Sequence, residues 1–281
     1  MNKLNIKIFS LVLVLISIRF IQPQQKLTIN KVEDFSLYNT KAEYITSEII
    51  ADSFFVLISV PDGYSSNESR YPVLYVLDGD IAFGMAASIS RYLQLGNNIP
   101  ETIVVGIGYG SLNKSVVKKR NRDYRPDQTG GADNFLEFIN KELIPYIDEN
   151  YRTVPGDRII NGYSLGGLFC LYTLFTKPES FNGYIIGSPN LSWDNYSIYN
   201  YEENSSEKVA DKKLNIFISV GSDESEERYF NPVDSLVTRI QQHDYSGVSL
   251  ETKVFEGSGH LEGPPESLTH GFISVFRNEE Y

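Results

Sequence analysis

The chain is poor in the residues that give covalent or metal-based stability: 281 residues hold 1 Cys, 2 Met and 3 His. Cys170 has no partner within the chain for a disulfide, and without a cysteine cluster a structural zinc site lacks its ligands. Histidines scattered at 243, 260 and 270 form no H-E-x-x-H pattern, so no metal is expected. Positive charge is also scarce. The 25 Lys and Arg against 36 Asp and Glu leave a net charge of −11, which excludes the basic face that phosphate contacts need, so no nucleic-acid partner is expected. Repeats, low-complexity tracts and dividing linkers are missing too. What remains is a chain with 41% hydrophobic residues, enough for the core of one large domain.

Lys3 and Lys7 precede the apolar stretch Ile8 to Ile18, which Arg19 interrupts before the polar Gln22-Pro23-Gln24-Gln25. Positive then hydrophobic is the layout of a secretory signal, and the stretch falls short of the roughly 20 residues a membrane span needs. Residues 1–25 are therefore expected to be a signal peptide and residues 26–281 a single domain. The product is expected to be secreted or periplasmic, with no stable membrane insertion after cleavage. No Cys follows the run to accept a lipid.

Downstream, short β-rich runs alternate with helical segments, the pattern of an α/β domain with a mostly parallel sheet and helices on both faces. Ala42 to Ile50 and Phe54 to Val60 read as strands joined by a turn at Ala51 to Ser53. Tyr71 to Leu77 and Ile103 to Ile107 are continuous apolar runs, as strands covered on both faces should be. Runs near 158–161, 183–186, 214–220 and 248–255 bring the count to eight. Asn134 to Tyr151 carries Phe135, Phe138, Ile139, Leu143, Tyr146 and Ile147 on one helical stripe. Gly166 to Thr176 is apolar nearly all round and ends at Pro178, which predicts a buried helix. Leu112 to Arg122 is basic and shows no helical stripe, and Ser197 to Asp211 reads as a polar surface excursion.

The strand at Arg158 to Asn161 runs into Gly162-Tyr163-Ser164-Leu165-Gly166 and then directly into the apolar helix. Strand, G-x-S-x-G, helix is the context of a nucleophile elbow, where a sharp turn lifts the serine above the strand ends. Gly162 and Gly166 are the small neighbours that let strand and helix approach. The N–H of Leu165, opening the helix, is left to face an oxyanion. A serine hydroxyl is a weak nucleophile and needs a base. His243 sits at the polar end of a helix as a surface residue, and His270 lies on a terminal helix in a core or capping role. His260, on the loop Glu256-Gly257-Ser258-Gly259-His260 past the last strand, stands at the sheet edge where ligands bind.

The acid that orients this imidazole should follow the penultimate strand. There the chain offers Gly221-Ser222-Asp223-Glu224-Ser225-Glu226-Glu227, with Glu224 first, Asp223 and Glu227 open, and a Ser-His pair without an acid as the remaining arrangement. The order Ser164, Glu224, His260 is that of an α/β-hydrolase. A second oxyanion donor is expected from the backbone N–H of Asp80, after the strand ending Tyr75-Val76-Leu77-Asp78-Gly79. The side chains of Asp78 and Asp80 read as turn-forming acceptors.

Taken in order, several segments resemble the putative-esterase family of α/β-hydrolases, which includes siderophore esterases, feruloyl esterases, S-formylglutathione hydrolases and mycolyltransferases. They are Tyr71 to Asp80, Arg122-Asp123-Tyr124-Arg125-Pro126, Gly130 to Phe138, Glu142 to Ile147, Gly162 to Phe169, Ser188-Pro189-Asn190-Leu191-Ser192-Trp193-Asp194 and Gly257 to His260. The likeness spans roughly residues 40 to 280 and is nearest to the branch acting on siderophore trilactones. It implies ester hydrolysis without a cofactor, with nucleophile, base and oxyanion amides at Ser164, His260, Leu165 and Asp80. Acids vary in that branch, so Glu224 stays open.

Two clusters invite a substrate role: Arg120, Arg122 and Arg125 with Asp123 and Tyr124 for an anion, and Trp193 with Tyr196 for an aromatic ring. The expected partner is a small-molecule ester. Competing readings are a non-catalytic ligand-binding protein on the same fold, an acyltransferase and a peptidase. The run Gly106-Ile107-Gly108-Tyr109-Gly110-Ser111 hints at dinucleotide binding, but Ser111 occupies the third glycine position. Oligomeric state is not legible.

Overall fold

Residues 36–243 and 245–277 are described by a computed structural model. The expected leader, residues 1–25, lies outside them. The strands are β1 (Thr40–Ser47), β2 (Asp52–Ser59), β3 (Tyr71–Val76), β4 (Ile103–Gly108), β5 (Thr153–Tyr163), β6 (Gly183–Gly187), β7 (Leu214–Gly221) and β8 (Val248–Phe255). They form one sheet in the order β1-β2-β4-β3-β5-β6-β7-β8. Only the β1–β2 and β2–β4 pairings are antiparallel, so the expected mostly parallel, eight-stranded α/β-hydrolase sheet is what forms. β3, β4 and β6 are buried at every residue, which is why they read as unbroken apolar runs.

The helices are α1 (Gly79–Leu95), α2 (Lys114–Tyr124), α3 (Ala132–Phe138), α4 (Ile144–Asn150), α5 (Leu165–Thr176), α6 (Ile198–Glu203), α7 (Ser206–Val209), α8 (Asn231–Gln242) and α9 (Gly263–Phe276). The period-two alternation of a strand feeds both faces. In β3, Val73 and Tyr75 join the core shared with α3, α4 and α5, whereas Leu74 and Val76 join the one built by α1 and α9. Among the described residues no helix is long and apolar enough to cross a membrane.

Five local expectations change. The first hairpin turns at residues 48–51 rather than 51–53, because Ser47 pairs with Asp52 and Ala51 takes φ +56°. The carboxylate of Glu142 accepts the Glu48 and Ile49 amides at 3.0 and 3.3 Å, so a distant residue decides the turn. The expected amphipathic helix is interrupted by a π turn at Ile139–Leu143, where the Ile144 amide reaches back to Ile139 O. Pro145 explains it: a proline has no N–H and its ring excludes the carbonyl four residues earlier, and a wider turn relieves both demands.

Residues 114–124 form a helix after all, fastened by polar contacts instead of an apolar stripe. The Asn113 side chain caps Ser115 N at 2.8 Å, and Lys119 and Arg122 both pair with Asp52. Residues 197–211, expected as a surface excursion, contain α6 and α7 and bury Ile198, Glu202 and Val209. Glu202 is paired there with Arg239 at 2.6 Å and lies in hydrogen-bond contact with His243 at 2.8 Å. His243 is therefore an anchored surface residue. His270 is exposed on α9, contacting Lys253 and Phe255, and serves neither core nor cap.

Candidate active site

Parallel strands bring their carboxyl ends to one edge, and the order reverses around β3 and β5, where a crevice opens. Ser164 stands in it, between β5 and α5, with φ 58° and ψ −116°, a conformation L residues avoid. The strain is held by backbone bonds: Ser164 N donates to Gly187 O at 2.9 Å, and Ser164 O accepts from Leu168 N and Asn190 N, both at 3.0 Å. A Cβ at Gly162 would come within 2.3 Å of Gly166 O, so this glycine is required. The second demand falls on Gly167 and not on Gly166. At Gly167 a Cβ would lie 2.9 Å from Gly187 O, whereas at Gly166 it would make ordinary contact with Asp78 at 3.4 Å. Leu165 opens α5, and the first amides of a helix have no carbonyl within it to bond.

His260 and Glu224 meet across the ends of β8 and β7, Nδ1 to Oε2, at 2.5 Å. The Glu224 side chain is fully buried. Its other oxygen accepts from Ser188 Oγ, from Gly221 N at 3.0 Å and from Tyr163 OH at 3.4 Å. Burial alone would raise the pKa of this carboxyl, but the bonds from His260, Ser188 and Gly221 outweigh it and hold the group below the usual carboxylate range. Asp223 and Glu227 are exposed. The His260 ring packs against Tyr229 and Tyr163, with centroids 4.5 and 5.2 Å away.

Ser188, Tyr163 and Tyr229 were not singled out by sequence reasoning. For Ser188 a signal existed: a serine just past the strand that neighbours β5 must face the same edge.

On the opposite wall, Asp78 takes φ 55° and starts α1, making Asp80 the second helical residue. The expected turn acceptors act over longer range. The Asp80 carboxylate accepts Tyr109 N at 2.6 Å and Gly110 N at 2.8 Å, tying the first turn of α1 to the end of β4. That contact accounts for the glycine-rich run without a dinucleotide, since a Cβ at Gly108 would strike Asp80 and one at Gly106 would strike Phe83. Asp78 is held by Arg120 through two bonds, 2.6 and 2.8 Å, and its own amide donates to Tyr124 OH at 2.9 Å.

Ser164 and His260 line one cleft of about 230 Å³, with apolar walls from Ile81, Met85, Leu261 and Pro264. Among the described residues the Ser164 hydroxyl has no hydrogen-bond partner. Of the residues given a substrate role, Arg122, Asp123, Tyr124, Arg125, Trp193 and Tyr196 lie outside the cleft lining. Arg122 is engaged by Asp123 and Asp52, Tyr124 is fully buried, and Trp193 donates to Asp127 at 2.7 Å beneath the Arg125 guanidinium. From the arginine cluster only Arg120 reaches the cleft. No group of three or more His, Cys, Asp or Glu side chains among the described residues is arranged to hold a metal ion.

Comparison with known proteins adds four likenesses. The family model described as "Putative esterase" matches residues 47–263. The ferri-bacillibactin esterase BesA of Bacillus subtilis is 29% identical over 257 residues, covering 82% of this chain and 87% of the relative. The siderophore triacetylfusarinine C esterase of Aspergillus fumigatus is 32% identical over 178 residues, 59% of this chain and 58% of that one. Among solved structures, an IroE-like serine hydrolase from Shewanella oneidensis superposes with a TM-score of 0.76 at 26% identity, covering 85% of this chain and 80% of its own.

Proposed function

The chain belongs to the putative-esterase family, in its siderophore esterase-like branch, and from that premise we propose that it hydrolyses siderophore-type carboxylic esters through a Ser164–His260–Glu224 triad. The observation that carries this reading is the 2.5 Å contact from Glu224 to His260 Nδ1, in a cleft that His260 shares with a strained, unpartnered Ser164.

The ionised Glu224 accepts a hydrogen bond from Nδ1–H, which leaves the Nε2 lone pair free to act as base. His260 takes the proton of Ser164 Oγ as that oxygen attacks the ester carbonyl. The amides of Leu165 and Asp80 stabilise the resulting oxyanion, each at the start of a helix where the dipole favours negative charge. Collapse of the tetrahedral species expels the alcohol, which receives its proton from His260. Water, deprotonated by the same imidazole, then releases the acid from the acyl-enzyme.

Ser188 and Tyr163 hold Glu224 in place. The same reading takes residues 1–25 as the export signal of a secreted or periplasmic enzyme. The test is a panel of short acyl, feruloyl and catecholate-trilactone esters offered to the wild type and to Ser164→Ala. The wild type should turn over at least one class, and the variant should lose about 10³-fold or more with its fold intact. Near-normal turnover by the variant would refute the mechanism.

A further inference from the structure

The cleft is unusual in how its charge is disposed. Among the described residues Arg120 is the only Lys or Arg in its lining, and its guanidinium forks onto the Asp78 carboxylate at 2.6 and 2.8 Å, the bidentate geometry that satisfies both groups at once. Both partners are largely withdrawn from solvent, 25% and 20% exposed. Neither neighbouring arginine supplies a spare cation. Arg122 is paired with Asp52 and Asp123, and Arg125 with Asp127. Around this neutral floor the walls are hydrocarbon, and the rim places Ile81 at 71% and Leu261 at 86% exposure, although apolar side chains of that size are costly to leave in water.

Resting on the esterase reading above, we propose that the site selects esters whose acyl part is uncharged and apolar, an alkyl chain or an aromatic ring, and rejects esters carrying a negative charge there. An entering carboxylate would face a carboxylate already seated on the only cation in the lining, and would lose water to hydrocarbon walls. An uncharged acyl group gains by covering Ile81 and Leu261 and disturbs no ion pair.

The experiment compares kcat/KM of the full chain for para-nitrophenyl pentanoate and for the mono-para-nitrophenyl ester of glutaric acid. The two have equal acyl length, and each rate is corrected for spontaneous hydrolysis. The neutral ester should be preferred by at least about tenfold. In Asp78→Asn, Arg120 loses its counter-charge, so the ratio should fall about tenfold even if both rates drop. In Ile81→Lys, a cation added to the rim should lower the ratio several-fold. A wild-type ratio near one, or one favouring the anion, overturns the proposal, as does a ratio unmoved by Asp78→Asn. If the wild type hydrolyses no ester of either kind and none of the panel above, the esterase reading itself fails.

Discussion

Two clusters of polar side chains in this molecule invite a ligand, and they differ in what they leave unsatisfied. Ser164, His260 and Glu224 form one; Arg125, Asp127, Thr129 and Trp193 form the other. In both, hydrogen bonds overcome burial and hold a carboxyl below its usual pKa. The second closes on itself: Asp127 accepts from Arg125, from Trp193 and from Thr129 N and Oγ1, and the Arg125 guanidinium also covers the indole at 4.6 Å. The first ends in open valence, since Glu224 and His260 satisfy one another while Ser164 keeps a hydroxyl with no partner in a strained backbone. Aromatic and cationic residues close in sequence therefore mark a site less reliably than a reactive atom that is positioned but unpaired.

Substitutions in the two clusters should separate accordingly. His260→Ala should cost the largest factor, about 10³ or more in kcat/KM, read with any ester the wild type turns over. Glu224→Gln keeps the shape but offers no carboxylate to the Nδ1 proton, and a loss of about 10² to 10⁴ is expected. Gly162→Ala should lower unfolding free energy by about 1–3 kcal/mol, because its Cβ would press on Gly166 O, whereas Gly166→Ala should change it far less; chemical denaturation measures both. Trp193→Phe removes the bond to Asp127 and should cost about 1–2 kcal/mol in stability with kcat/KM changed by no more than about threefold. A large loss of activity in that variant would give the second cluster a role in the chemistry.

The smallest effect is in pH dependence. A carboxyl with a depressed folded pKa contributes stability that is complete above its unfolded value, near 4.5 for Glu224, and is lost as pH falls through the lower folded one. Thermal midpoints of the wild type should therefore drop more steeply below about pH 4.5 than those of Glu224→Gln.

The contrast also marks what the sequence could reveal. Eight strands, the buried α5 and the serine turn were legible because each rests on local pattern: continuous apolar runs, an all-round apolar helix and a glycine where backbones cross. Glu224 could be ranked first among its neighbours but not chosen, since what sets it apart from Asp223 and Glu227 is burial beneath Ser188 and His260. α2 was hidden because ion pairs, not periodic hydrophobicity, fasten it. The same pairing turned Arg122 away from the cleft, and burial did so for Tyr124. Polar residues whose roles depend on partners 40 or more positions away, such as Arg120 on Asp78, leave no local trace.

Treating the wild type, His260→Ala and Ser164→Ala with a fluorophosphonate, and locating the adduct by peptide mass, tests the central claim most directly. One adduct on Ser164 that abolishes turnover, much slowed in His260→Ala and missing from Ser164→Ala, is the predicted result. Full esterase activity in a protein whose Ser164 stays unlabelled would contradict it.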